Sequence, residues 1–407
     1  MTNAKKSLTV VTNSELQTFR DCGYKWGLAY ERGLRPKVAP RALAFGSAVH
    51  KGLEAICLTV GSRELVGGTE TDLVTALGPV SDRAIATAFG VWFKARLDSG
   101  ISLDEMSALA DEAEETQAMA SWMVRHYIKK NHLDWTNRIA LAVELPFNVP
   151  LRDTLGRRSP VISWSGVIDN IYYDRNVDDI VVEDHKTTAG DVQSVDRRVE
   201  LDPQMAGYVN SARELFASGA LLEMRPVNGM GLKVMDVLKR AQDDNIATGR
   251  ISYNVLRKKM PSEPKVNLNG SVSVAAIDTF AETYEAALDR QTASGRPIEQ
   301  KQQELLEKLR LKGDTFLSRR EFFRSDEEIA RWRSEVFVDA RRLRGAAKNE
   351  KERTRNPGHC TMPWSMSCSY RQICLDPTSP EHLEHFEVVS RHREVDAAQE
   401  TLDSNDA

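Results

Sequence analysis

Long hydrophobic runs are absent from this sequence of 407 residues, of which 41% are hydrophobic and 28% are charged. No apolar segment approaches the roughly 20 residues that cross a bilayer, and the first residues lack the apolar stretch of a secretory leader. We therefore expect no membrane association, and we expect the protein in the cytoplasm. At about 150 residues per domain, the length suggests two to three modules.

Cysteine is scarce, with five residues in the chain. Because the cytosol keeps thiols reduced, we expect no disulfide framework, and the positions of the cysteines become more informative than their number. The phosphate-binding pattern G-x-x-x-x-G-K-[S/T] is also missing, so the chain has no evident ATPase. No repeat of the period found in solenoid proteins is present.

The net charge of -4 does not favour a polyanionic partner, yet the charge is unevenly distributed. The segment from Glu381 to the end carries -6, which leaves +2 for the remainder of the chain. Binding depends on local charge, so a basic groove in the body of the protein is still permitted. We predict that residues 381–407 form an acidic, disordered tail.

Apolar periodicity predicts helices and strands in alternation. A helix from residue 14 to about 33 and another from about 42 to 59 precede three strands, at 139–147, 161–173 and 180–187. A helix follows from Asp202 and Pro203 to about residue 217, because proline suits the first helical position. Beyond it we predict a long charged helix from about 275 to 311, a strand at 315–324, and a helix that a Ser325–Glu328 capping box opens.

The two strands at 161–173 and 180–187 are separated by a turn rich in Asp and Asn, which predicts a hairpin. Antiparallel pairing about a turn centred between Asn176 and Val177 places Asp169 opposite Asp184. Directly paired side chains have their Cβ atoms about 5 Å apart, and two carboxylates at that distance repel each other. A divalent cation between them would remove the repulsion.

Asp184 and Lys186 share one face of their strand, because side chains alternate, while Glu183 and His185 point to the other face. Mg²⁺ binds few protein carboxylates and can lower the pKa of a bound water for phosphodiester cleavage. A lysine beside the metal would orient the attacking water or stabilise charge on the phosphate. The alternative is that Asp184 and Lys186 form a surface ion pair, as most D-x-K triplets do.

Four motifs occur in a characteristic order: GSAVH at 46–50, GVID at 166–169, EDHKTT at 183–188 and QMAGY at 204–208. Their order and spacing resemble the RecB-like exonuclease branch of the PD-(D/E)XK superfamily. The resemblance implies a metal held by His50, Asp169 and Asp184, with the main-chain carbonyl of His185 as a further ligand. It also implies that Gln204 and Tyr208, one helical turn apart, support the site or the DNA strand. Glu144 is an additional acidic candidate.

Three cysteines, Cys360, Cys368 and Cys374, cluster near the C-terminus, and Cys22 lies far from them on the first predicted helix. Four thiolates can hold a 4Fe-4S cluster or a structural Zn²⁺, and their spacing alone does not distinguish the two. The arrangement resembles RecB-like nucleases that carry a 4Fe-4S cluster, in which one upstream cysteine joins three downstream ones. The closely spaced C-x-x-C of that pattern is missing here, and Cys57 is predicted to be a core residue.

The resemblance implies an α/β fold with a mixed central sheet flanked by helices, helical additions and a C-terminal cysteine clasp. We divide the chain into a nuclease core (1–224), a helical insert (225–350), a cysteine clasp (351–380) and the acidic tail (381–407). The implied activity is Mg²⁺- or Mn²⁺-dependent hydrolysis of DNA, from single- or double-stranded ends, in recombination, repair or phage DNA processing. A separate helicase or recombinase would supply the motor, and the small size suggests a phage or mobile-element protein.

Two other functions are compatible with these motifs. The first is a non-catalytic DNA-binding scaffold, and the second is a restriction-type endonuclease whose insert recognises a sequence. Two weaker features could contact DNA. Arg257, Lys258, Lys259 and Lys265 form a basic patch, although such a run is more often a solvated surface. An aromatic pair, Trp364 and Tyr370, could stack on a base or pack around the metal centre.

Overall fold

The computed structural model describes residues 8–61, 69–99, 103–220, 239, 249–275, 277–360 and 368–405. Within these residues the chain has the predicted α/β fold, in which helices flank a mixed sheet of six strands. These strands are β1 (Thr9–Val11), β3 (Arg138–Arg152), β4 (Arg158–Asp174), β5 (Asp179–Thr188), β6 (Arg250–Arg257) and β7 (Leu317–Phe323). A second, two-stranded sheet pairs β2 (Leu34–Pro36) with β8 (Phe386–Val388).

Three long helices follow one another between β2 and β3, and the other described helices lie between the strands or after them. In chain order they are α1 (Asn13–Asp21), α2 (Gly23–Trp26), α3 (Arg41–Gly61), α4 (Glu70–Leu97), α5 (Leu103–Lys130), α6 (Asp134–Asn137), α7 (Val192–Val199), α8 (Pro203–Ala217), α9 (Ala281–Ala293), α10 (Gln300–Lys312), α11 (Asp326–Lys348), α12 (Arg371–Leu375), α13 (Pro380–Leu383) and α14 (Arg393–Asn405). The predicted N-terminal ends of two helices are confirmed, since Asp202 caps α8 and the Ser325–Glu328 capping box begins α11.

The hairpin of β4 and β5 has the register that the sequence predicts. Asp174 pairs with Asp179 at the turn, and Asn170 pairs with Glu183 at the far end of the ladder. Extending the same register by one residue places Asp169 opposite Asp184. The prediction succeeds because side-chain alternation and a short polar turn together allow few pairings.

Two strands, β1 and β5, pair with different stretches of the same edge of β4 and leave a gap between them. On this edge β1 pairs in parallel with Ile162–Trp164, and β5 pairs antiparallel with Asn170–Asp174. The opposite edge pairs with β3 nearly throughout. Among the described strands, none pairs with β4 between these two stretches, so residues 165–169 face an opening in the sheet.

Two hydrophobic cores lie on opposite faces of the sheet. Helices α3, α4 and α5 build one core, which includes Phe45 and Tyr127. On the other face α1, α8 and α11 pack against the strands, with Trp332 of α11 in the centre. Val255 and Leu256, neighbours on β6, belong to different cores. This is the alternation expected of a sheet that is covered on both faces.

The predicted first helix, from residue 14 to about 33, is wrong as a single element. It is interrupted at Cys22, whose backbone is extended (φ -164°, ψ 110°), and the chain continues as α2 and a π-helical turn, Gly27–Glu31. A segment from the C-terminal half of the chain approaches closely here: the backbone of Thr354 lies 3.2 Å from where a Cβ on Gly23 would stand. Helical periodicity cannot reveal such a distant contact.

The predicted charged helix from 275 to 311 is also divided, into α9 and α10. Between them Gly295 adopts a left-handed conformation (φ 85°), which a side chain would disfavour, and Pro297 follows it. Both residues end helices for reasons of backbone geometry. The sequence therefore contains a signal for this interruption, in Gly295 and Pro297.

The acidic segment after Glu381, which we predicted to be disordered, is folded through residue 405. It forms β8 and α14, and Arg391 and His392 between them contact Glu15. Glu15 is fully buried, and a buried carboxylate needs cationic partners. The docking of this segment supplies those partners. The prediction of disorder rested on the net charge of the segment, which does not reveal this contact.

One helix in the described part of the chain is long and apolar enough to cross a bilayer, Arg41–Val60, with a mean hydropathy of 1.2. This helix carries Lys51 and Glu54, and its apolar face belongs to a core of the protein. Core helices of proteins without membrane contact have the same composition, so this is weak evidence. The absence of membrane association stays a prediction.

Candidate active site

Three carboxylates from three neighbouring strands are aligned across the sheet beside the opening. Val143 pairs with Asn170 and Leu145 with Ile168, so Glu144 of β3 lies opposite Asp169 of β4. The hairpin register then places Asp184 of β5 on the other side of Asp169. Glu144 has a left-handed backbone (φ 49°), which is unfavourable for a residue with a side chain and is often found at functional sites.

His50 approaches this row of carboxylates from α3. Its Nδ1 lies 3.4 Å from Oδ2 of Asp169. One ligand atom from each of His50, Glu144 and Asp169 lies within 4.8 Å of the others, which is a spacing suited to a metal ion. The ring of His50 also stands nearly perpendicular to the ring of His185, with their centroids 6.3 Å apart.

Asp184 and Lys186 form an ion pair on the predicted common face of β5. Nζ of Lys186 is 2.8 Å from both carboxylate oxygens of Asp184. The amide N–H of His185, between them, donates to Oδ2 of Asp169 at 2.9 Å. This bond links the two strands just beyond the last ladder pair and fixes Asp169 at the opening.

The three carboxylates destabilise one another in their charged forms. Burial raises the pKa of each, of Glu144 to about 8, of Asp169 to about 6 and of Asp184 to about 7. The charge of Asp169 adds to the shifts of the other two, whereas Lys186 opposes the shifts of both aspartates. A divalent cation would replace the protons, so these residues fit a metal such as Mg²⁺ or Mn²⁺.

The two basic side chains at the site have opposite protonation tendencies. Burial and the nearby Lys186 lower the pKa of His50 to about 4, so its imidazole is neutral, the form that binds metals. Burial alone would lower the pKa of Lys186, but Asp184 and Asp169 outweigh burial and raise it. Lys186 is therefore a permanent cation in the metal-free protein.

Gln204 and Tyr208 lie one turn apart at the start of α8, as predicted. Nε2 of Gln204 donates to the Tyr208 hydroxyl at 2.5 Å. Tyr208 is buried, and its ring makes an edge contact with Phe147 of β3. Its electrostatic neighbours include Asp184, Asp169 and Lys186. The pair therefore lies beside the three aligned carboxylates Glu144, Asp169 and Asp184, which we call the acidic row.

A sequence model of the PD-(D/E)XK nuclease superfamily matches residues 10–375. The chain belongs to this superfamily. No curated protein matches the sequence significantly. Nucleases of the superfamily use divalent metals and act on DNA, so the chain is a metal-dependent nuclease with DNA as its substrate. The acidic row with His50 is the site in the described residues that suits such a metal.

The glycine of the GVID motif in this PD-(D/E)XK nuclease has a steric role. A Cβ on Gly166 would stand 2.9 Å from the ring of Phe147, closer than real Cβ contacts. Gly166 therefore leaves room for the ring of Phe147, which also contacts Tyr208. The motif positions the site through packing as well as through Asp169.

A buried ionic cluster beneath the site was not predicted. Glu183, on the face of β5 opposite to Asp184, accepts hydrogen bonds from Asn170 at 2.9 Å and Asn254 at 2.8 Å. Burial would raise its pKa, but His185, Arg319 and Arg138 outweigh burial and lower the pKa to about 2. The cluster connects five strands, β3 to β7, under the acidic row. Its members come from distant parts of the sequence, and no local pattern relates them.

The four predicted cysteine ligands lie in a part of the structure separate from the acidic row. The C-terminal segment docks beside Cys22: Tyr24 N–H donates to Thr354 O at 3.1 Å, and Sγ of Cys22 lies 3.8 Å from the same oxygen. Cys368 N–H donates to Cys360 O at 3.1 Å. Burial raises the pKa of Cys374, and the charges of Cys360, Cys22 and Cys368 raise it further.

Three remaining sequence features have plain structural explanations or lie outside the described residues. Cys57 is buried in the core of α3, α4 and α5, as predicted. Tyr370 is buried and its hydroxyl donates to Leu34 O at 2.8 Å, so it packs within the protein rather than facing a base. Trp364 lies outside the described residues.

Proposed function

We propose that this protein is a RecB-like DNA exonuclease whose metal is held by His50, Glu144, Asp169 and Asp184. The observation that carries the proposal is the grouping of His50, Glu144 and Asp169 within 4.8 Å beside the Asp184–Lys186 pair. The main-chain carbonyl of His185 is a further proposed ligand. A bound Mg²⁺ or Mn²⁺ would polarise the scissile phosphate and lower the pKa of the attacking water.

The side chains around the proposed metal site have separate roles in the reaction. Lys186 keeps its proton, so it acts as a cation that orients the attacking water and stabilises charge on the phosphate oxygens. It is not a general base in the state described here. Neutral His50 offers a ring nitrogen to the metal, and the Gln204–Tyr208 pair supports Lys186 and the DNA strand.

We further propose that Cys22, Cys360, Cys368 and Cys374 hold a 4Fe-4S cluster that clasps the two ends of the chain together. The chemistry of the residues fits such a group, because all four thiols are free and partly exposed, and four cysteine thiolates are the usual ligands of a 4Fe-4S cluster. A structural Zn²⁺ is the alternative. A visible absorption spectrum of anaerobically purified protein, with iron and sulphide analysis, separates the two, since a colourless, zinc-loaded protein refutes the cluster.

The biological setting follows from the same resemblance. We propose a cytoplasmic enzyme of phage or mobile-element origin that degrades DNA from its ends during recombination, repair or DNA processing. A separate helicase or recombinase would open the duplex. The nuclease core extends beyond residue 224, because β6 and β7 belong to the central sheet and α11 packs in its core. We propose that the insert is the segment between β6 and β7, and that a cysteine clasp at 351–380 and the folded C-terminal segment follow the core.

The decisive experiment compares end-labelled linear DNA with circular DNA, in single- and double-stranded form, in the presence of Mg²⁺ or Mn²⁺. The parent protein should degrade linear DNA and leave circles intact. Asp184→Ala and Lys186→Ala should each abolish cleavage, because they remove a metal ligand and the catalytic cation. Asp191→Ala, which changes an exposed aspartate just beyond β5, is the matched control and should retain activity.

Each alternative predicts a different result in this assay. Cleavage of circular DNA at defined sites would indicate a restriction-type endonuclease and refute the exonuclease. Absence of cleavage by the parent on every substrate, with binding retained, would indicate the scaffold function. Thermal unfolding of every variant checks that a loss of cleavage does not result from a loss of folding.

A further inference from the structure

A fully exposed leucine stands at the tip of a hairpin in the segment between β6 and β7. The hairpin, Lys265–Ser273, is closed by an antiparallel bridge between Val266 and Val272. At its open end Ser273 N–H donates to Lys265 O at 2.8 Å. Leu268 at the tip has a relative exposure of 111%. We call this segment the Leu268 hairpin.

The tip has a defined hydrogen-bonded conformation. Asn267 N–H donates to Ser271 O, and Gly270 N–H donates to Asn267 O, both at 2.8 Å. Side chains reinforce the turn, since the Asn267 amide donates to Oγ of Ser271 at 3.0 Å and that hydroxyl donates to Asn269 at 2.8 Å. The turn therefore holds the leucine out in solvent, where an apolar side chain contributes nothing to folding.

The base of the hairpin is fixed by two buried amides. Val272 N–H donates to Oε1 of Gln291 at 2.6 Å, and Nε2 of Gln302 donates to Val272 O at 2.7 Å. Gln291 and Gln302 are 4% and 1% exposed and bond each other. Buried amides are unfavourable unless they are hydrogen-bonded. The pair on α9 and α10 therefore serves to hold the hairpin in place.

Cations surround the root of the hairpin in excess of acids. The carboxylate of Asp278 forms ion pairs with Lys259 at 2.5 Å, Arg257 at 3.3 Å and Lys312 at 3.7 Å. One carboxylate thus faces three cations. Exposed Lys265 adds a further positive charge and exposed Glu263 a negative one, so cations remain in excess. A surface with this balance attracts a polyanion.

The hairpin root adjoins the catalytic strand. Lys186 of β5 pairs with Val255 of β6, and Thr188 pairs with Arg257. Lys258 N–H, immediately after β6, donates to Thr188 O at 2.7 Å. The segment that leads to the hairpin therefore starts beside the strand that carries Asp184 and Lys186.

We propose that the Leu268 hairpin is a duplex wedge, which inserts Leu268 at the end of a DNA duplex while the surrounding cations hold the phosphates. The proposal rests on the proposed function. Apolar side chains that enter a base step unstack it, and a strand that enters a nuclease site must first leave its partner. One leucine with a cationic surround is too small a surface for a stable protein partner, which needs about 1,000 Å².

The test uses a duplex with 2-aminopurine near one end, whose fluorescence rises when the base unstacks, in EDTA so that no cleavage occurs. The parent protein should raise the fluorescence, and Leu268→Ala should lose most of the rise. Leu155→Ala is the matched control, because Leu155 is an exposed leucine (74%) in the turn between β3 and β4. With Mg²⁺, L268A should lower the ratio of duplex to single-strand cleavage about tenfold, because a duplex end must unstack before one strand enters the site.

The outcomes separate this proposal from the proposed function. Unchanged fluorescence and an unchanged cleavage ratio in L268A would overturn the wedge while leaving the nuclease intact. An equal loss on both substrates would also overturn it, because that result indicates general DNA binding. If the parent cleaves nothing, the proposed nuclease fails, and the fluorescence measurement still decides whether Leu268 unstacks the duplex.

Discussion

Replacing Glu144 by glutamine should stabilise the metal-free protein at pH 8 and remove much of its response to divalent metal. The change keeps the shape of the side chain and removes the charge that faces Asp169. The pKa of Glu144 is raised from 4.5 to about 8. At about 1.4 kcal/mol per pH unit this shift corresponds to about 5 kcal/mol, an upper value because neighbouring carboxylates share the repulsion.

The sign of the pH dependence follows from the direction of that shift. A carboxyl whose pKa is higher in the folded state retains its proton after the unfolded chain has released it. The metal-free parent should therefore lose stability as the pH rises from about 4.5 to about 8, the interval between the two pKa values of Glu144. Glu144→Gln should flatten this loss, and at pH 4.5 the two proteins should be nearly equal.

The size of the effect can be estimated for thermal unfolding. With an unfolding entropy of about 2.1 cal/mol/K per residue, a chain of 407 residues gains roughly 1 °C per kcal/mol. A stabilisation of about 2 to 5 kcal/mol then raises Tm by roughly 2 to 6 °C at pH 8 in EDTA. Addition of Mg²⁺ or Mn²⁺ should raise the Tm of the parent by a similar amount and should leave the Tm of the variant nearly unchanged.

The measurement is a set of melting curves at pH 5 and pH 8, each with EDTA and with metal, for the parent, Glu144→Gln and Glu263→Gln. The last variant changes an exposed glutamate and controls for the loss of one charge. Parallel pH curves for the parent and Glu144→Gln would show that no repulsion is relieved at this position. The interpretation of the acidic row as a metal centre would then lose its electrostatic basis.

Three further substitutions probe separate features. Gly166→Ala should destabilise the protein by about 1 to 3 kcal/mol in urea unfolding, because Phe147 must move; an unchanged midpoint would contradict this. Arg391→Ala should cost about 1 to 3 kcal/mol, because buried Glu15 loses one of its partners while His392 and Trp26 remain, and proteolysis of the C-terminal segment should accelerate. Tyr208→Phe should lower cleavage roughly tenfold through misplacement of the site, and an unaltered rate would exclude a positioning role.

The hairpin of β4 and β5 shows what the sequence can predict about this fold. Alternating apolar residues and a short polar turn allow one register, so the juxtaposition of Asp169 and Asp184 could be predicted without a structure. The same local rules predict the start of α8 at Pro203. These features depend on neighbours in the chain, and a sequence contains that information directly.

Other parts of the site depend on contacts between distant segments. The left-handed backbone of Glu144 follows from the way β3 meets β4, and no feature of its local sequence requires it. Strand β6 was not predicted, although it forms the other border of β5. The break at Cys22 results from the approach of Thr354. Each of these results from tertiary packing that overrides local preference.

The opening in the sheet explains why the candidate site lies where it does. Between the stretches of β4 that pair with β1 and with β5, residues 165–169 lack a strand neighbour on that edge among the described strands. Asp169 ends this stretch and bonds the backbone of His185 instead of a ladder partner. A closed sheet would leave no room for a ligand at this point. The acidic row therefore combines electrostatic repulsion with incomplete strand pairing, and binding of a cation should stabilise the protein most strongly here.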